Sequence, residues 1–289
     1  MEFNLRDVQA PTFTVPIQPK VKSKAMNYRK VIVVASSGKG GPGKTTTAVN
    51  LALHFQQGGY RTVLLDFDTP LGDVASMLRI ADDRCLTSWL EVKTVLQPQF
   101  VDNMLMETEE GLKVLPSIRE ADEEKLVNNS DFAKMILENV RHFEVVIVDA
   151  APNFSELTME ACRQATDILM VSDGSQVSLN NIQRGIKHLK KENIEVSKVA
   201  LMVNKLLKKQ TDKQEKYGGL TGIRDVLEVP FEPKMQEWTN QGFYPMIHKK
   251  NSKFSQALME YAEELLPSLA DEPRKKSKRS LFSVFGWGK

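Results

Sequence analysis

The amino-acid sequence predicts an α/β fold built on a predominantly parallel, twisted sheet with helices on both faces. Short runs of consecutive apolar residues recur along the chain, as in strands that are buried on both sides. Segments with the periodicity of amphipathic helices lie between these runs, which is the order found in parallel sheets. No internal repeat is visible, so we expect one core rather than two tandem domains.

The individual elements follow from this pattern in chain order. The predicted strands are residues 31–35, 62–66, 112–115, 145–149, 168–171, 199–203 and 228–231. The predicted helices are residues 45–57, 73–78, 87–95, 131–140, 155–165, 179–192 and 253–266. The first helix has a continuous apolar face and ends at two glycines, which favour a helix C-terminus.

Length and composition set the domain organisation and the class of protein. A chain of 289 residues with 41% hydrophobic and 26% charged residues favours one large soluble domain. Residues 1–28 contain three prolines and no sustained periodicity, which predicts a flexible arm. We therefore expect an arm at 1–28, the main domain at 29–270 and a tail at 271–289. No signal sequence or long apolar run is present, so neither secretion nor a membrane span is expected.

A glycine-rich segment lies between the first predicted strand and the first predicted helix. It fits the pattern G-x-x-x-x-G-K-[ST], which indicates a phosphate-binding loop in this context. Glycines bring backbone N–H groups close to phosphate oxygens, and the helix N-terminus adds further donors. Lys44 is expected to reach the β- and γ-phosphates, and Thr45 to ligate Mg²⁺. The predicted nucleotide-binding residues here are Gly38, Lys39, Gly40, Gly41, Pro42, Gly43, Lys44, Thr45 and Thr46.

Two further segments place carboxylates at strand ends. Asp66 and Asp68 lie at the tip of the second predicted strand, and ligands of open α/β sheets bind outside that edge. We expect both side chains to project toward the nucleotide and its metal. The alternative is a strand-ending turn rich in Asp, Pro and Gly. Asp149 follows four apolar residues and suits the Walker B role of holding Mg²⁺ through water.

Taken together, these three segments resemble the MinD/ParA family of deviant-Walker ATPases, over roughly residues 30–266. The resemblance implies a three-layer P-loop NTPase fold, with ATP and Mg²⁺ as cofactors. Its most specific feature is Lys39, since this lysine in the family crosses a dimer interface to the partner's nucleotide. The resemblance therefore implies an ATP-dependent homodimer, with Lys39 and Lys44 in the catalytic site.

The same resemblance implies roles for the remaining site residues. Asp68 would position or activate the attacking water, while Asp66 and Asp149 would support Mg²⁺ from its outer shell. Asn204 resembles the adenine-reading asparagine of the family, although an asparagine after a strand also occurs as a plain turn residue. Pro230 matches the family's loop beside the base.

Within the family, four stretches look most like the CpaE/TadZ group associated with pilus assembly. They are residues 68–75, 114–116, 149–152 and 240–245. This resemblance implies that the protein positions a pilus or another envelope machine, together with an unidentified activating partner.

The C-terminal tail combines a basic cluster with bulky apolar residues. Residues 274–279 contain five lysines and arginines, and residues 281–287 contain five large apolar residues. This composition predicts an interfacial helix on anionic lipid, and it resembles the membrane-targeting helix of MinD. A disordered tail, or one that docks on its own core, is the alternative. Two tails on one dimer would gain avidity of about 10²–10⁴, so ATP is expected to drive peripheral attachment to the inner face of the cell membrane.

Other functions remain open at this stage. A DNA-partitioning ATPase would bind nonspecific DNA through basic residues, and those within 20–30 or 205–216 could serve. An electron-transfer relative such as the nitrogenase iron protein would need cluster-ligating cysteines, and the spacing of Cys85 and Cys162 does not fit. A kinase or synthetase would need an acceptor site, which is not visible. A module that binds nucleotide without cleaving it is also open.

Overall fold

The computed structural model describes residues 29–266, apart from residues 37, 39, 40 and 208–213. In this part of the chain, eight strands form one sheet in the order β3-β4-β2-β5-β1-β6-β7-β8. All neighbouring pairs are parallel except β3 with β4, which confirms the predicted fold class. The strands are β1 (Lys30–Ala35), β2 (Thr62–Phe67), β3 (Met106–Glu107), β4 (Lys113–Leu115), β5 (Val145–Ala150), β6 (Asp167–Ser172), β7 (Val199–Leu206) and β8 (Asp225–Pro230).

Helices cover both faces of this sheet. They are α1 (Lys44–Gln57), α2 (Val74–Leu78), α3 (Pro98–Met104), α4 (Glu124–Val127), α5 (Ser130–Asn139), α6 (Glu156–Gln164), α7 (Gln176–Lys191), α8 (Gly219–Thr221), α9 (Met235–Asn240), α10 (Pro245–His248) and α11 (Lys253–Leu265). Val31 and Val33 of β1 pack into one apolar layer with α5, α6 and α7, while Ile32 and Val34 pack into the other with α1 and α11. The strands are apolar throughout because successive side chains enter opposite layers.

Several predicted elements differ from the structure. The helix predicted at 87–95 is wrong: a 3₁₀ turn, Leu86–Trp89, stands there instead. The backbone after it is held by Asn139, whose side chain bonds Thr94 O and Leu96 N. Those bonds compete with helical ones, and the segment is rich in β-branched residues that have low helix propensity. The antiparallel strand β3 and the short helices α3, α4, α8, α9 and α10 were not predicted, and β8 begins three residues earlier than expected.

The order of the strands determines where the predicted site residues meet. β5 lies between β1 and β2, so the carboxyl ends of these three strands are neighbours at one edge of the sheet. In this register Asp149 lies beside Asp66 on one side and Val34 on the other. None of the described helices has the length and apolar character needed to cross a bilayer. The predicted arm at 1–28, Lys39, Gly40 and the predicted tail at 271–289 lie outside the described residues.

Candidate nucleotide-binding site

The glycine-rich loop connects β1 to α1 with a backbone that requires glycine. Gly41 and Gly43 have φ values of 86° and 104°, which side chains other than glycine rarely adopt. A Cβ on Gly43 would also lie 2.5 Å from Asn204 Nδ2, so this position is closed to any side chain. Because α1 begins directly at Lys44, its N-terminal N–H groups open toward the space above the loop.

Lys44 and Thr45 meet two carboxylates at the base of this space. Lys44 is 7% exposed, and its Nζ lies 2.6 Å from Asp68 Oδ2 and 3.4 Å from Asp149 Oδ1. The Thr45 hydroxyl donates a 2.6 Å hydrogen bond to the other oxygen of Asp149. The structure thus joins residues that the sequence separates by more than one hundred positions.

Burial and charge act in opposite directions on these groups. Burial raises the pKa of Asp149 to about 6, although Lys44 and Thr45 partly oppose the shift. For Lys44, burial lowers the pKa, but the charges of Asp149 and Asp68 outweigh it and the net shift is upward. An ammonium group that stays charged close to two carboxylates is able to exchange them for phosphate oxygens.

Asp66 occupies a different position from its neighbour Asp68. Its carboxylate is buried and accepts 3.1 Å hydrogen bonds from the backbone N–H groups of Asp68 and Val74. Gly72 packs so closely that a Cβ there would lie 2.3 Å from Asp66 Oδ2. Burial, followed by the charge of Asp149, raises the pKa of Asp66 well above its usual value. Asp66 therefore faces the backbone of residues 68–74, and its role toward Mg²⁺ stays a prediction.

A pocket of about 560 Å³ extends from the loop to the ends of β7 and β8. It brings together the loop and two residues, Asn204 and Pro230, which the family resemblance implies lie beside the base. Its lining also includes a group that was not predicted, from the segment after β8 and from α9. Phe231 was predicted as the last residue of a strand and Asn240 lies in one of the four stretches noted above, but no residue of this group was predicted to bind nucleotide. These residues are Phe231, Glu232, Pro233, Met235, Gln236, Thr239 and Asn240.

Asn204 is buried and contacts the loop as well as the pocket. Its Nδ2 donates a 2.8 Å hydrogen bond to Pro42 O, and its Oδ1 accepts one of 2.8 Å from Lys205 N. Both ends of the side-chain amide are therefore engaged by backbone groups. Its role in reading adenine remains a prediction.

A pocket between a glycine-rich loop, a helix N-terminus, a buried lysine and two carboxylates suits a nucleoside triphosphate with Mg²⁺. A family model for ParA, described as NUBPL iron-transfer P-loop NTPase, matches residues 27–266. An uncharacterized ATP-binding protein of Methanocaldococcus jannaschii is 25% identical over 268 residues, covering 88% of this chain and 95% of the relative. The septum site-determining protein MinD of Escherichia coli K12 is 24% identical over 252 residues, covering 81% and 90%.

Solved structures agree in fold. A ParA family ATPase from Chlorobium tepidum aligns with a TM-score of 0.72 at 18% identity, covering 82% of this chain and 99% of that chain. MinD of Pyrococcus horikoshii, complexed with Mg-ADP, aligns with a TM-score of 0.62 at 18% identity, covering 82% and 96%. The chain therefore belongs to the ParA/MinD family of P-loop NTPases.

Proposed function

We propose that this protein binds ATP with Mg²⁺, hydrolyses ATP, and acts as a dimerisation switch at the inner face of a cell membrane. Members of its family are ATPases. The observation that carries the proposal is the meeting of Lys44, Thr45, Asp68 and Asp149 at the N-terminus of α1. Mg²⁺ at this place would neutralise charge on the β- and γ-phosphate oxygens.

Each side chain has a defined task in this proposal. Lys44 exchanges its bond with Asp68 for the phosphates, and the N–H groups of the loop and α1 hold the phosphate oxygens. Thr45 and Asp149, already joined by a hydrogen bond, would hold the cation, Thr45 directly and Asp149 through water. Once Lys44 has left it, Asp68 is a partly exposed carboxylate at the pocket that orients the attacking water. This work requires positioning and electrostatic stabilisation rather than covalent chemistry.

The residues proposed to form the dimer and to bind the membrane lie outside the described part of the chain. Lys39 would contact the partner's nucleotide, as the resemblance implies. The basic residues at 274–279 and the apolar residues at 281–287 would bind anionic lipid. Because one tail binds weakly and two tails bind with avidity, ATP-driven dimerisation would control attachment. The machine to be positioned is of the envelope class, and the resemblance to the CpaE/TadZ group favours pilus assembly.

The cysteines favour this switch over iron transfer, the activity in the description of the family. The sequence has two cysteines, Cys85 and Cys162, and both are buried. Burial raises the pKa of Cys162 to about 12, so its thiol resists conversion to the thiolate that metals bind. An iron–sulfur cluster would need accessible cysteine thiolates as ligands.

Flotation with anionic vesicles tests the proposal. We expect the full chain to float with ATP and to stay in solution with ADP, and to lose flotation when residues 280–289 are deleted. Vesicles of neutral lipid serve as the control, because they lack the charge that the basic residues need. Equal flotation with ADP and ATP would contradict the switch, and salt-sensitive binding of nonspecific DNA in place of lipid would favour a DNA-partitioning ATPase.

A further inference from the structure

Lys205 has an unusual backbone conformation at the edge of the pocket. It directly follows Asn204 near the end of β7, where the pairing register with β8 shifts between Val203 and Leu206. Its φ is 60°, in the left-handed region that is unfavourable for any residue with a Cβ. Residues held in such unfavourable backbone conformations are concentrated at functional sites.

The side chain of Lys205 reaches the phosphate-binding loop. Its Nζ donates a 2.7 Å hydrogen bond to Gly41 O, while the adjacent Asn204 donates to Pro42 O. Two consecutive residues of β7 therefore hold two consecutive carbonyl groups of the loop. A carbonyl oxygen that turned toward a phosphate would repel it, so the direction of these two groups matters.

Peptide geometry shows what each contact fixes. In a trans peptide, the carbonyl and the N–H point in opposite directions. When Asn204 holds the carbonyl of Pro42, the N–H of Gly43 is turned to the other side. The peptide between Gly41 and Pro42 has no N–H, because proline lacks one. A phosphate therefore finds no N–H donor at this peptide. The Gly41 carbonyl is the polar group through which the peptide is held.

We propose that Lys205 is a positioning residue for the phosphate-binding loop, and that it compensates for the backbone N–H that Pro42 removes. The proposal rests on the proposed nucleotide binding and deepens it. Lys205 holds the peptide of residues 41 and 42 by its carbonyl, where other loops would use an N–H bonded to phosphate. The left-handed conformation is kept because it directs the Lys205 side chain at Gly41 O.

A double-mutant cycle on the full chain tests this dependence. We expect Lys205→Met to weaken binding of a fluorescent ATP analogue about 3- to 10-fold, within the range for one ordinary hydrogen bond, because the contact is exposed to solvent. Pro42→Val, the second variant of the cycle, restores the backbone N–H that proline removes, so its own affinity is the reference for the double variant. In the Pro42→Val background, Lys205→Met should weaken binding less than about 2-fold, because coupled residues are not additive. Lys187→Met on the exposed side of α7 is the matched control, and Lys205→Arg should retain binding.

A second variant separates positioning from a role in folding. Lys205→Gly removes both the cost of the left-handed conformation and the contact with Gly41. We expect the unfolding temperature of the nucleotide-free protein to rise while analogue binding weakens as in Lys205→Met. If Lys205 served only to stabilise the fold, Lys205→Gly would lower both the unfolding temperature and the affinity for the analogue.

The outcomes are distinct. Wild-type binding by Lys205→Met and Lys205→Gly would overturn the proposal while leaving the proposed function intact. An equal loss from Lys205→Met in both backgrounds would also overturn it, since Pro42 would then be irrelevant. If the wild-type protein itself bound no nucleotide, the proposed function would fail and this inference with it.

Discussion

The two ends of the pocket, named for the nucleotide orientation proposed above, are built from different interactions: the phosphate end lies at the glycine-rich loop, and the base end lies at the segment after β8 and α9. At the phosphate end, the ionisable groups Lys44, Asp149 and Asp66 are 7%, 0% and 1% exposed and lie on or beside three adjacent strands. At the base end, Phe231 is 47% exposed, and Asn240 O accepts an exposed hydrogen bond from the Arg79 guanidinium. Buried charges interact strongly and are costly to leave unpaired, while exposed contacts contribute little. We therefore expect substitutions at the phosphate end to have large effects and substitutions at the base end to have small ones.

The largest expected effect comes from removing the buried cation. Lys44→Met should weaken ATP binding about 10²–10⁴-fold, since two or more charge-assisted hydrogen bonds to phosphate are lost. The variant also leaves Asp149 without the charge that opposes the rise in its pKa. Titration with a fluorescent ATP analogue measures the loss. If Lys44→Met and Arg79→Ala weakened binding by the same factor, the contrast between the two ends would be wrong.

Hydrolysis should be more sensitive than binding to the carboxylate that pairs with Lys44. Asp68→Asn should lower kcat about 100-fold, within the range for a group that positions or activates water. Its ATP affinity should stay near that of the wild type, because the variant frees Lys44 from a 2.6 Å ion pair. Phosphate release under saturating ATP measures kcat, and titration with the fluorescent analogue measures the affinity. Asp131→Asn, in the first turn of α5, is the control for loss of a carboxylate elsewhere.

The result for Asp68→Asn separates two interpretations of this ion pair. A variant that hydrolysed ATP at the wild-type rate would show that Asp68 serves only to hold Lys44 before nucleotide binds. If Asp68→Asn lost ATP binding as well as hydrolysis, the ion pair between Lys44 and Asp68 would be needed to form the binding site itself.

Buried charge at the phosphate end should also appear in the pH dependence of stability. Burial raises the pKa of Asp149 from its usual 3.8 to about 6, so between these values the folded state binds more protons than the unfolded state. Its contribution to the free energy of unfolding therefore falls as pH rises from about 4 to about 6. Urea unfolding without nucleotide or Mg²⁺ should show Asp149→Asn gaining stability relative to the wild type across this range.

Glu160 on α6 provides a control of opposite sign. Burial raises its pKa, but hydrogen bonds from Gln164, Ser130 and Arg163 outweigh burial, and the net shift is downward. A carboxylate of this kind stabilises the fold above its usual pKa and loses that contribution as pH falls. Glu160→Gln should therefore lose stability relative to the wild type as pH rises. If both variants changed in the same direction, the burial of Asp149 would not be the cause of its behaviour.

The same contrast explains what the sequence predicted. The strands and the phosphate end follow from short patterns, because apolar runs report burial and the glycine-rich motif reports a local backbone requirement. Asp68 could be placed near the loop from the rule that ligands bind at the carboxyl edge of a parallel sheet, and Asp149 from the pattern of four apolar residues followed by aspartate. Asp66 shows the limit of that rule: it comes two residues before Asp68, yet it turns to backbone N–H groups at Asp68 and Val74.

The base end depends on tertiary contacts that carry no local pattern. Asn204 could be noted from its place after a strand, but its bond to Pro42 joins positions 162 residues apart. The helix predicted at 87–95 failed for the same reason, since the Asn139 side chain bonds the backbone there. The short helix α9 is too brief to give a clear periodicity.

The smallest expected effect tests the base end directly. The Arg79 guanidinium donates to Asn240 O at the end of α9, so an exposed contact joins α2 to a wall of the pocket. Arg79→Ala should lower the free energy of unfolding by less than about 1 kcal/mol, as for other exposed contacts. Arg79→Gly should be more stable than Arg79→Ala by about 1 kcal/mol, because Arg79 has a φ of 55° that glycine adopts without strain.

The comparison of these two variants separates the contact from the backbone conformation, since both lose the guanidinium and they differ mainly at the Cβ. Urea unfolding gives the stabilities, and analogue titration should show both variants within about twofold of the wild type, as expected where exposed groups contribute little. A loss of binding in Arg79→Gly despite its recovered stability would show that α2 and α9 must be joined to hold the nucleotide. The base end would then be as strictly specified as the phosphate end, through an exposed arginine instead of buried charge.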